Sequence, residues 1–340
     1  MKDDHIYEKK QLSTPGDGPS NRPSNRVEFE GEKMPKLPEL AEYKEGDSIP
    51  YQGIASGERA KEDGNSQNRK ISKQQLTRIE GNLTGRDHEV LRALKKYRFM
   101  TSDQIGRLFV TDCSTKTSQT RHRNLLLRRL SDYGLIRPLW RRIGGGKGGS
   151  ELQVWYLAPP GHRLLYLYQP GRLPRKAYSE PSSAFLNHTL AVAEVAVQLT
   201  TLCRDSFDLT LEQVDSEPSC WRPFNDGGRI VLLKPDLYVV TTYQEYEDRY
   251  FVEMDLGTEA PSQIVAKCNV YLQYYYTGIE QRESQVFPLV LWIAPTQARK
   301  EKLQQYIREN ITNQPKMFLV ITPDELEKTV RQFTDPKELS

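Results

Sequence analysis

The alternation of apolar and polar residues marks two folded parts behind a polar stretch. Three runs in residues 87–133 repeat their apolar positions at helical spacing. The first helix is predicted to be capped by Asp87, the second to follow Thr101, and the third to span about Ser118–Tyr133, before Gly134. The predicted inner positions are Val90, Leu91, Leu94 and Tyr97; Ile105, Leu108 and Phe109; and Leu125, Leu126, Leu130 and Tyr133.

A hairpin is predicted directly after the third helix. Its strands are Leu135–Ile143 and Leu152–Leu157, joined by the glycine-rich tip GGGKGGS. Three helices followed by a hairpin resemble the winged helix-turn-helix domains that bind DNA in bacteria. The tip is not a phosphate-binding loop for ATP, because Lys147 is followed by glycine where that loop has Ser or Thr.

Helix and strand patterns alternate through the rest of the chain. Such an order predicts a mixed sheet covered by helices on both faces, so the fold class is α/β (α+β overall). The predicted helices are Phe185–Cys203, Pro261–Tyr276, Thr296–Glu309 and Pro323–Phe333. The predicted strands are Leu209–Val214, Ile230–Thr242 with a break at Pro235, Tyr250–Leu256, Phe287–Ala294 and Met317–Ile321.

Residues 1–85 lack a sustained apolar period and are rich in Gly, Pro, Ser, Asn and Lys. Such a segment buries too little apolar area to offset its ordering entropy, so we expect a disordered polar tail. The chain then divides into this tail, a winged-helix domain with a connector at 86–180, and an α/β domain at 181–334.

Apolar runs of about 18 residues and an apolar leader are both missing, so no membrane contact is expected. Together with four scattered cysteines, this favours the bacterial cytoplasm.

Charge is distributed unevenly between the two folded parts, although the net charge is only +3. Residues 86–150 carry 15 Lys and Arg against five Asp and Glu, whereas residues 186–340 carry 15 against 23. A basic module predicts a polyanionic partner, and the winged-helix order makes that partner double-stranded DNA. The alternative is a basic helix face that only meets solvent. The predicted DNA-binding residues are Lys116, Arg121, Arg123, Arg128, Arg129, Arg141, Arg142 and Lys147.

Three carboxylates stand out in the acidic part. Asp236 lies in KPDLYVV, and Glu253 and Asp255 lie in YFVEMDLGT. Residues two apart in a strand point to the same face, and a neighbouring strand can add Asp236. Three converging carboxylates can hold Mg²⁺ or Mn²⁺ for phosphodiester hydrolysis, and a nearby lysine can stabilise the developing negative charge.

This arrangement resembles the PD-(D/E)xK nucleases, which have a restriction-endonuclease-like fold, over about residues 186–295. Asp255 stands where that family usually has its lysine, and the resemblance implies that Lys267, on the following helix, replaces it. The implied catalytic residues are therefore Asp236, Glu253, Asp255 and Lys267, and the three carboxylates are also the metal ligands. Glu194 and Tyr271 are implied as accessory residues, and His188 is expected to orient or pack against a neighbour.

Several segments together resemble the replication-relaxation family, found on plasmids and other mobile elements of bacteria. These segments are the winged helix, FLNHTLAVAEV, KPDLYVV and FVEMDLGTEAPSQIVAKCNVYLQYY, and the resemblance covers about residues 86–330. It implies a part in plasmid replication or DNA relaxation.

Two functions remain open: metal-dependent DNA cleavage, or regulation of transcription or copy number with a degenerate nuclease-like assembly domain. A homodimer or a complex with replication proteins would suit either. Nicking by a His-hydrophobe-His relaxase is not expected, because no two of the five histidines lie two residues apart.

Overall fold

The computed structural model describes residues 71–139, 153–168, 180–244 and 246–331, and the backbone of a two-residue strand, β1 (Lys10–Gln11). These ranges cover most of both predicted folded parts. The predicted wing tip, with Arg141, Arg142 and Lys147, lies outside the described residues. Of the helices in these ranges, none combines the length and the apolar character that a membrane span requires.

The first folded part contains helices and strands where the sequence predicts three helices and a hairpin, in the predicted order, and it adds two helices and one strand that the sequence does not predict. Strands β2 (Phe99–Thr101), β4 (Val154–Leu157) and β3 (Ile136–Pro138) form a three-stranded antiparallel sheet in that order. The elements are α1 (Lys73–Glu80), α2 (Gly85–Tyr97), β2 (Phe99–Thr101), α3 (Ser102–Phe109), α4 (Lys116–Asp132), β3 (Ile136–Pro138), β4 (Val154–Leu157) and α5 (Pro159–Leu165).

Hydroxyl side chains set where α2 and α3 begin. The backbone N–H of Asp87 donates to Thr84 Oγ1 at 3.3 Å, and the N–H of Thr84 donates to Asp87 Oδ2 at 2.8 Å. This reciprocal pair is a capping box, and Thr101 with Gln104 repeats it at α3. Helix α2 therefore begins one turn earlier than predicted, with Thr84 as the cap instead of Asp87.

Helix α1 lies inside the segment that the sequence predicts to be disordered. Its Leu76 is fully buried in the core of the first folded part, where Ile71 and Ile79 also pack. The guanidinium of Arg163 donates to the carbonyl of Ile71 at 2.8 Å, which ties this segment to α5. The prediction of disorder is thus wrong for residues 71–85. A single buried leucine in a short polar helix gives little periodic signal, which explains the error.

The second folded part contains a mixed sheet, in which β1 also pairs with β9. Its other strands are, in spatial order, β11 (Phe318–Ile321), β10 (Leu289–Ile293), β9 (Tyr246–Met254), β8 (Leu237–Tyr243) and β5 (Leu209–Ser216). Strands β5, β8 and β9 are antiparallel neighbours, whereas β10 is parallel to both β9 and β11. The elements are α6 (Ser183–Arg204), β5 (Leu209–Ser216), β6 (Arg222–Asp226), β7 (Arg229–Leu233), β8 (Leu237–Tyr243), β9 (Tyr246–Met254), α7 (Pro261–Thr277), α8 (Ile279–Ser284), β10 (Leu289–Ile293), α9 (Gln297–Asn310), β11 (Phe318–Ile321) and α10 (Leu326–Arg331), with 3₁₀ turns at Pro315–Met317 and Pro323–Glu325.

Each face of the mixed sheet buries its own apolar core. On one face, Phe251 and Trp292 pack against Tyr271 of α7 and against α9. On the other face, Val252 and Leu291 pack against α6 and α10. The α/β fold class with helices on both faces is therefore confirmed. The predicted strand 230–242 is two strands, since β6 and β7 form a separate hairpin before Pro235.

Helix α6 packs against both folded parts. Its Val197 belongs to the core of the first part, and its Leu186 and Leu190 pack against Phe99 and Val154 of the small sheet. The following turns of α6 cover one face of the large sheet. The relative position of the two parts is therefore fixed by one continuous helix.

Burial of α1 makes a prediction about stability. We expect Leu76→Ala to lower the free energy of unfolding by about 2–5 kcal/mol, because it leaves a cavity in a fully buried site. The measurement is urea denaturation of the full chain. The matched control is Leu125→Ala on α4, where the leucine is 57% exposed and a change of about 0.5 kcal/mol or less is expected. Equal effects of the two substitutions would show that α1 is not part of the core.

Candidate functional site

Helix α4 presents one outward face that carries positive charge. At 3.6 residues per turn, positions 117, 121, 124, 125 and 128 project to the same side, and all five are exposed. Two of them are Arg121 and Arg128, and Lys116 joins the same continuous surface at the start of the helix. Two carboxylates near this face already have cationic neighbours: Asp132 lies 3.9 Å from Arg128, and Asp112, which lines a pocket with Leu125, is paired with Arg86 at 3.1 Å. The face can therefore approach a polyanion with little competition from acidic side chains.

Two of the predicted DNA contacts, Arg123 and Arg129, lie off this face. Arg123 is turned by about 200° from Arg121 and is only 3% exposed. It packs over Gly106 of α3, where an added Cβ would lie 2.9 Å from Arg123 Cδ. The prediction of DNA contact is wrong for Arg123, because the side chain is buried. Arg129 donates to the buried carboxylate of Asp87 at 2.6 Å, so its charge is already paired inside the protein.

The inner stripe of α4 also differs from the prediction at one position. Leu125 is exposed, whereas Leu127 is 2% exposed and packs in the core with Leu126 and Leu130. The run of three leucines at 125–127 gives apolar residues at three successive helical angles, so composition alone does not tell which one points outward. The structure places Leu125 among the polar and cationic residues of the outward face.

In the α/β part, Asp236 lies just before β8 and its carboxylate has two partners. Oδ2 accepts the backbone N–H of Met254 at 2.7 Å, and Oδ1 lies 2.9 Å from His188 Nε2 on α6. The hydrogen bond to Asp236 raises the pKa of His188 above its usual value, although burial acts in the opposite direction. His188 therefore holds the carboxylate, as the sequence suggested for an orienting residue.

Glu253 of β9 is buried between the sheet and α7. Tyr271 donates to its Oε1 at 2.7 Å, and Lys267 donates to its Oε2 at 3.2 Å. Burial, followed by the negative charge of Asp236, raises the pKa of Glu253 to about 7 despite the nearby ammonium. Burial would lower the pKa of Lys267, but Glu253 and Asp236 outweigh it and raise that pKa. Glu259 also accepts from Lys267, at 2.9 Å.

Asp255 stands apart from the other two carboxylates. Strand β9 ends at Met254, so the alternation that would place Asp255 beside Glu253 stops one residue too early. Both oxygens of Asp255 accept from the guanidinium of Arg299 on α9, at 2.7 and 3.0 Å. Because Asp255 is fully buried, this pair neutralises a charge that would otherwise be costly to bury.

The predicted metal ligands do not fit a shared ion in this arrangement. Asp236 and Asp255 have partners on both oxygens, and Glu253 accepts one hydrogen bond on each oxygen. Within residues 71–139, 153–168, 180–244 and 246–331, no three His, Cys, Asp or Glu side chains are grouped so that they could hold a metal. The structure therefore brings Asp236, Glu253, Lys267 and Tyr271 into one cluster but leaves Asp255 outside it.

Glu194, the predicted accessory acid, also lies outside that cluster. It accepts from Arg107 of α3 at 2.6 Å and from Gln104 at 3.0 Å. Gln104 further donates to the carbonyl of Leu190, and Arg204 donates to the carbonyl of Arg107. The carboxylate of Glu194 therefore links the two folded parts, and its predicted accessory role stays a prediction.

A cleft between the two folded parts opens beside Asp236. It is lined by Lys96 and Arg98 from the end of α2, by Phe185 and His188 of α6, and by Glu217 after β5. Burial and the charge of Asp236 raise the pKa of Glu217, and Arg98 lies 3.7 Å from it. Sequence reasoning missed Glu217, Glu259 and Arg299, since none stands at a motif spacing from its partner.

The comparisons with known proteins identify one family. The sequence model of the replication-relaxation family matches residues 91–290, which is more than half of the chain. This match spans α3, α4, the small sheet and the carboxylate cluster. Comparison with curated proteins and with solved structures gave no match.

The raised pKa of Glu253 predicts a pH dependence of stability. A carboxyl whose pKa rises on folding stabilises the folded state below the ordinary value of 4.5, and this contribution is lost as pH rises through about 7. We expect the free energy of unfolding to fall by about 2–3 kcal/mol more in the native chain than in Glu253→Gln between pH 4.5 and 8. Glu301→Gln, at an exposed position of α9, is the control and should follow the native chain. If the free energy of unfolding changed with pH equally in Glu253→Gln and in the native chain, the raised pKa of Glu253 would be contradicted.

Proposed function

Because the chain belongs to the replication-relaxation family, we propose that it binds duplex DNA in the replication or relaxation of a plasmid or another mobile element. The observation that carries this proposal is the outward face of α4, with Arg121, Arg128 and Lys116 exposed together. A major groove about 12 Å wide admits an α-helix, and cationic side chains on such a helix meet phosphates and guanine edges. The order of α2, α3, α4 and the small antiparallel sheet resembles that of a winged helix, in which the helix corresponding to α4 enters the groove.

Electrostatics of the individual cations support α4 as the contact. Among the described residues, Lys116 and Arg121 make no salt bridge within 4 Å, and the side chain of Arg128 is 81% exposed. Arg107 and Arg129, by contrast, are held by Glu194 and Asp87. Cations without a partner can exchange their counterions for DNA phosphates, whereas paired cations would first have to break a protein contact.

The α/β part would then serve as a scaffold that positions the DNA-binding part. The carboxylates of Asp236, Glu253 and Asp255 are paired with protein donors, which favours a part used for assembly or regulation, as in a transcriptional or copy-number regulator. The ties from α6 to α3 suit this role, since they hold the DNA-binding elements at a fixed orientation.

A second candidate function is DNA cleavage, and one observation favours it. Asp236, Glu253 and Lys267 lie close enough for the charge of Asp236 to raise the pKa values of both other groups. Two carboxylates and a lysine are the groups that a phosphodiester-cleaving site needs. The pairing of the carboxylate oxygens, and Asp255 with Arg299, weigh against this candidate.

The DNA-binding proposal predicts a charge-dependent affinity. We expect the full chain to bind duplex DNA, with an affinity that falls steeply as salt rises. Replacing Arg121 and Arg128 together by Ala should weaken binding about tenfold or more and lower the salt slope by about 2, because two phosphate contacts are removed. Fluorescence anisotropy of a labelled duplex, measured across a salt series, checks both quantities.

A matched control removes two cations far from α4. Lys302→Ala with Arg308→Ala changes the net charge equally, at exposed positions of α9. We expect this control to retain the native affinity and salt slope within about twofold. Equal losses in both double variants would mean that DNA is attracted by the net charge and not by α4.

Plasmid nicking decides between scaffold and nuclease. With Mg²⁺ or Mn²⁺, we expect the native chain to leave supercoiled plasmid intact under conditions where it binds DNA, and to match Lys267→Ala. Urea denaturation of Lys267→Ala first establishes that the variant is folded. Open circles that require Mn²⁺ and disappear in Lys267→Ala would show that the cluster cleaves DNA.

A further inference from the structure

We propose that Leu125 is a specificity-determining residue of α4, which recognises the C5-methyl group of a thymine in the major groove. This inference rests on the proposed DNA binding and adds a sequence preference to it. Thymine is the base that presents a methyl group in that groove, and apolar side chains contact it there. An exposed leucine on the face that enters the groove can therefore recognise thymine by contact with its methyl group.

The packing of α4 shows that the core does not need Leu125. Leu126, Leu127 and Leu130 fill the inward side of the helix and are at most 6% exposed. Leu125 is 57% exposed, and its position is rotated by about 40° from that of Arg121. Its apolar surface is thus directed outward with the cations, where water is its neighbour in the free protein.

The neighbours of Leu125 on this face include side chains that can bind DNA. Arg121 and Arg128 lie one turn before and one turn after it on the same face, and Asn124 adds an amide beside them. Arginine and asparagine are the side chains that bond guanine and adenine edges in the major groove. Leu125 would therefore sit against a base edge whenever these side chains reach the DNA.

Charge on this face favours DNA over a second copy of the chain as the occupant. Two copies that met through Leu125 would bring Arg121 and Arg128 against the same residues of the partner. Such like-charge contacts are unfavourable. The acids near this face already have cationic neighbours, since Asp132 lies 3.9 Å from Arg128 and Asp112, which lines a pocket with Leu125, is paired with Arg86 at 3.1 Å. The phosphates that flank a major groove offer the opposite charge on both sides of the helix.

The test replaces thymines by uracil, which removes only the methyl group. Duplexes preferred by the native full chain are first selected from a random library, and each thymine of the preferred site is then replaced in turn. For the native chain, we expect one replacement to weaken binding about fourfold, which corresponds to the burial of one methyl group. For Leu125→Ala, the same replacement should change the affinity less than about 1.5-fold, because the contact is already lost.

Two further variants separate this inference from the proposed function. Arg121→Ala should weaken binding to all duplexes and keep the uracil effect, whereas Leu125→Ala should lose the uracil effect and keep the salt slope. If the native chain fails to bind any duplex, the proposed function and this inference fall together. If it binds but no replacement distinguishes native from Leu125→Ala, the role of Leu125 is wrong and DNA binding stands. A dimer in sedimentation that dissociates in Leu125→Ala, with the uracil effects unchanged, would assign Leu125 to self-association instead.

Discussion

The contact of Glu194 with Arg107 and Gln104 fixes how the two folded parts sit on each other. The carboxylate of Glu194 on α6 accepts from Arg107 of α3 at 2.6 Å and from Gln104 at 3.0 Å, and Gln104 also donates to the carbonyl of Leu190. Helix α3 in turn supports α4, because Gly106 leaves the space that Arg123 fills. About two turns earlier on α6, His188 holds Asp236. One helix thereby positions both the cationic face of α4 and the carboxylate cluster.

Buried charge is the second constraint on this molecule. A lone carboxylate in a protein interior would be very costly, so each one must be protonated or paired. Asp87 and Asp255 are paired with arginines, whereas Glu253 has a raised pKa and two donors. Glu253 and Asp255, the two acids at and just after the end of β9, are thus each held by hydrogen bonds or an ion pair within the protein. The sequence motif alone does not show whether acids on a strand are paired with protein groups or are metal ligands.

Much of the fold was predictable because it rests on local patterns. The boundaries of α6, α7 and α9 agree with the sequence within about two residues, since their apolar spacing extends over several turns. The sequence also predicts that Asp236, Glu253 and Asp255 converge near Lys267; the structure brings Asp236, Glu253 and Lys267 together but pairs Asp255 with Arg299, and the metal role stays a prediction. The partners of Glu194 and Asp255 were not foreseen, because Arg107 and Arg299 lie 87 and 44 residues away in the chain. No spacing rule links residues that only the tertiary fold brings together.

On α4, Arg123 is buried and Leu125 is exposed, which is the reverse of what counting charges predicts. Counting treats every arginine of a basic helix as a DNA contact, but about 100° of rotation per residue turns Arg123 inward when Arg121 and Arg128 face outward. The outward face then carries fewer cations and one leucine. Phosphate contacts supply affinity without sequence preference, whereas base-edge contacts supply preference. If α4 enters the major groove as proposed, a face with two arginines, an asparagine and a leucine is better suited to select a DNA site than a helix lined with arginines would be.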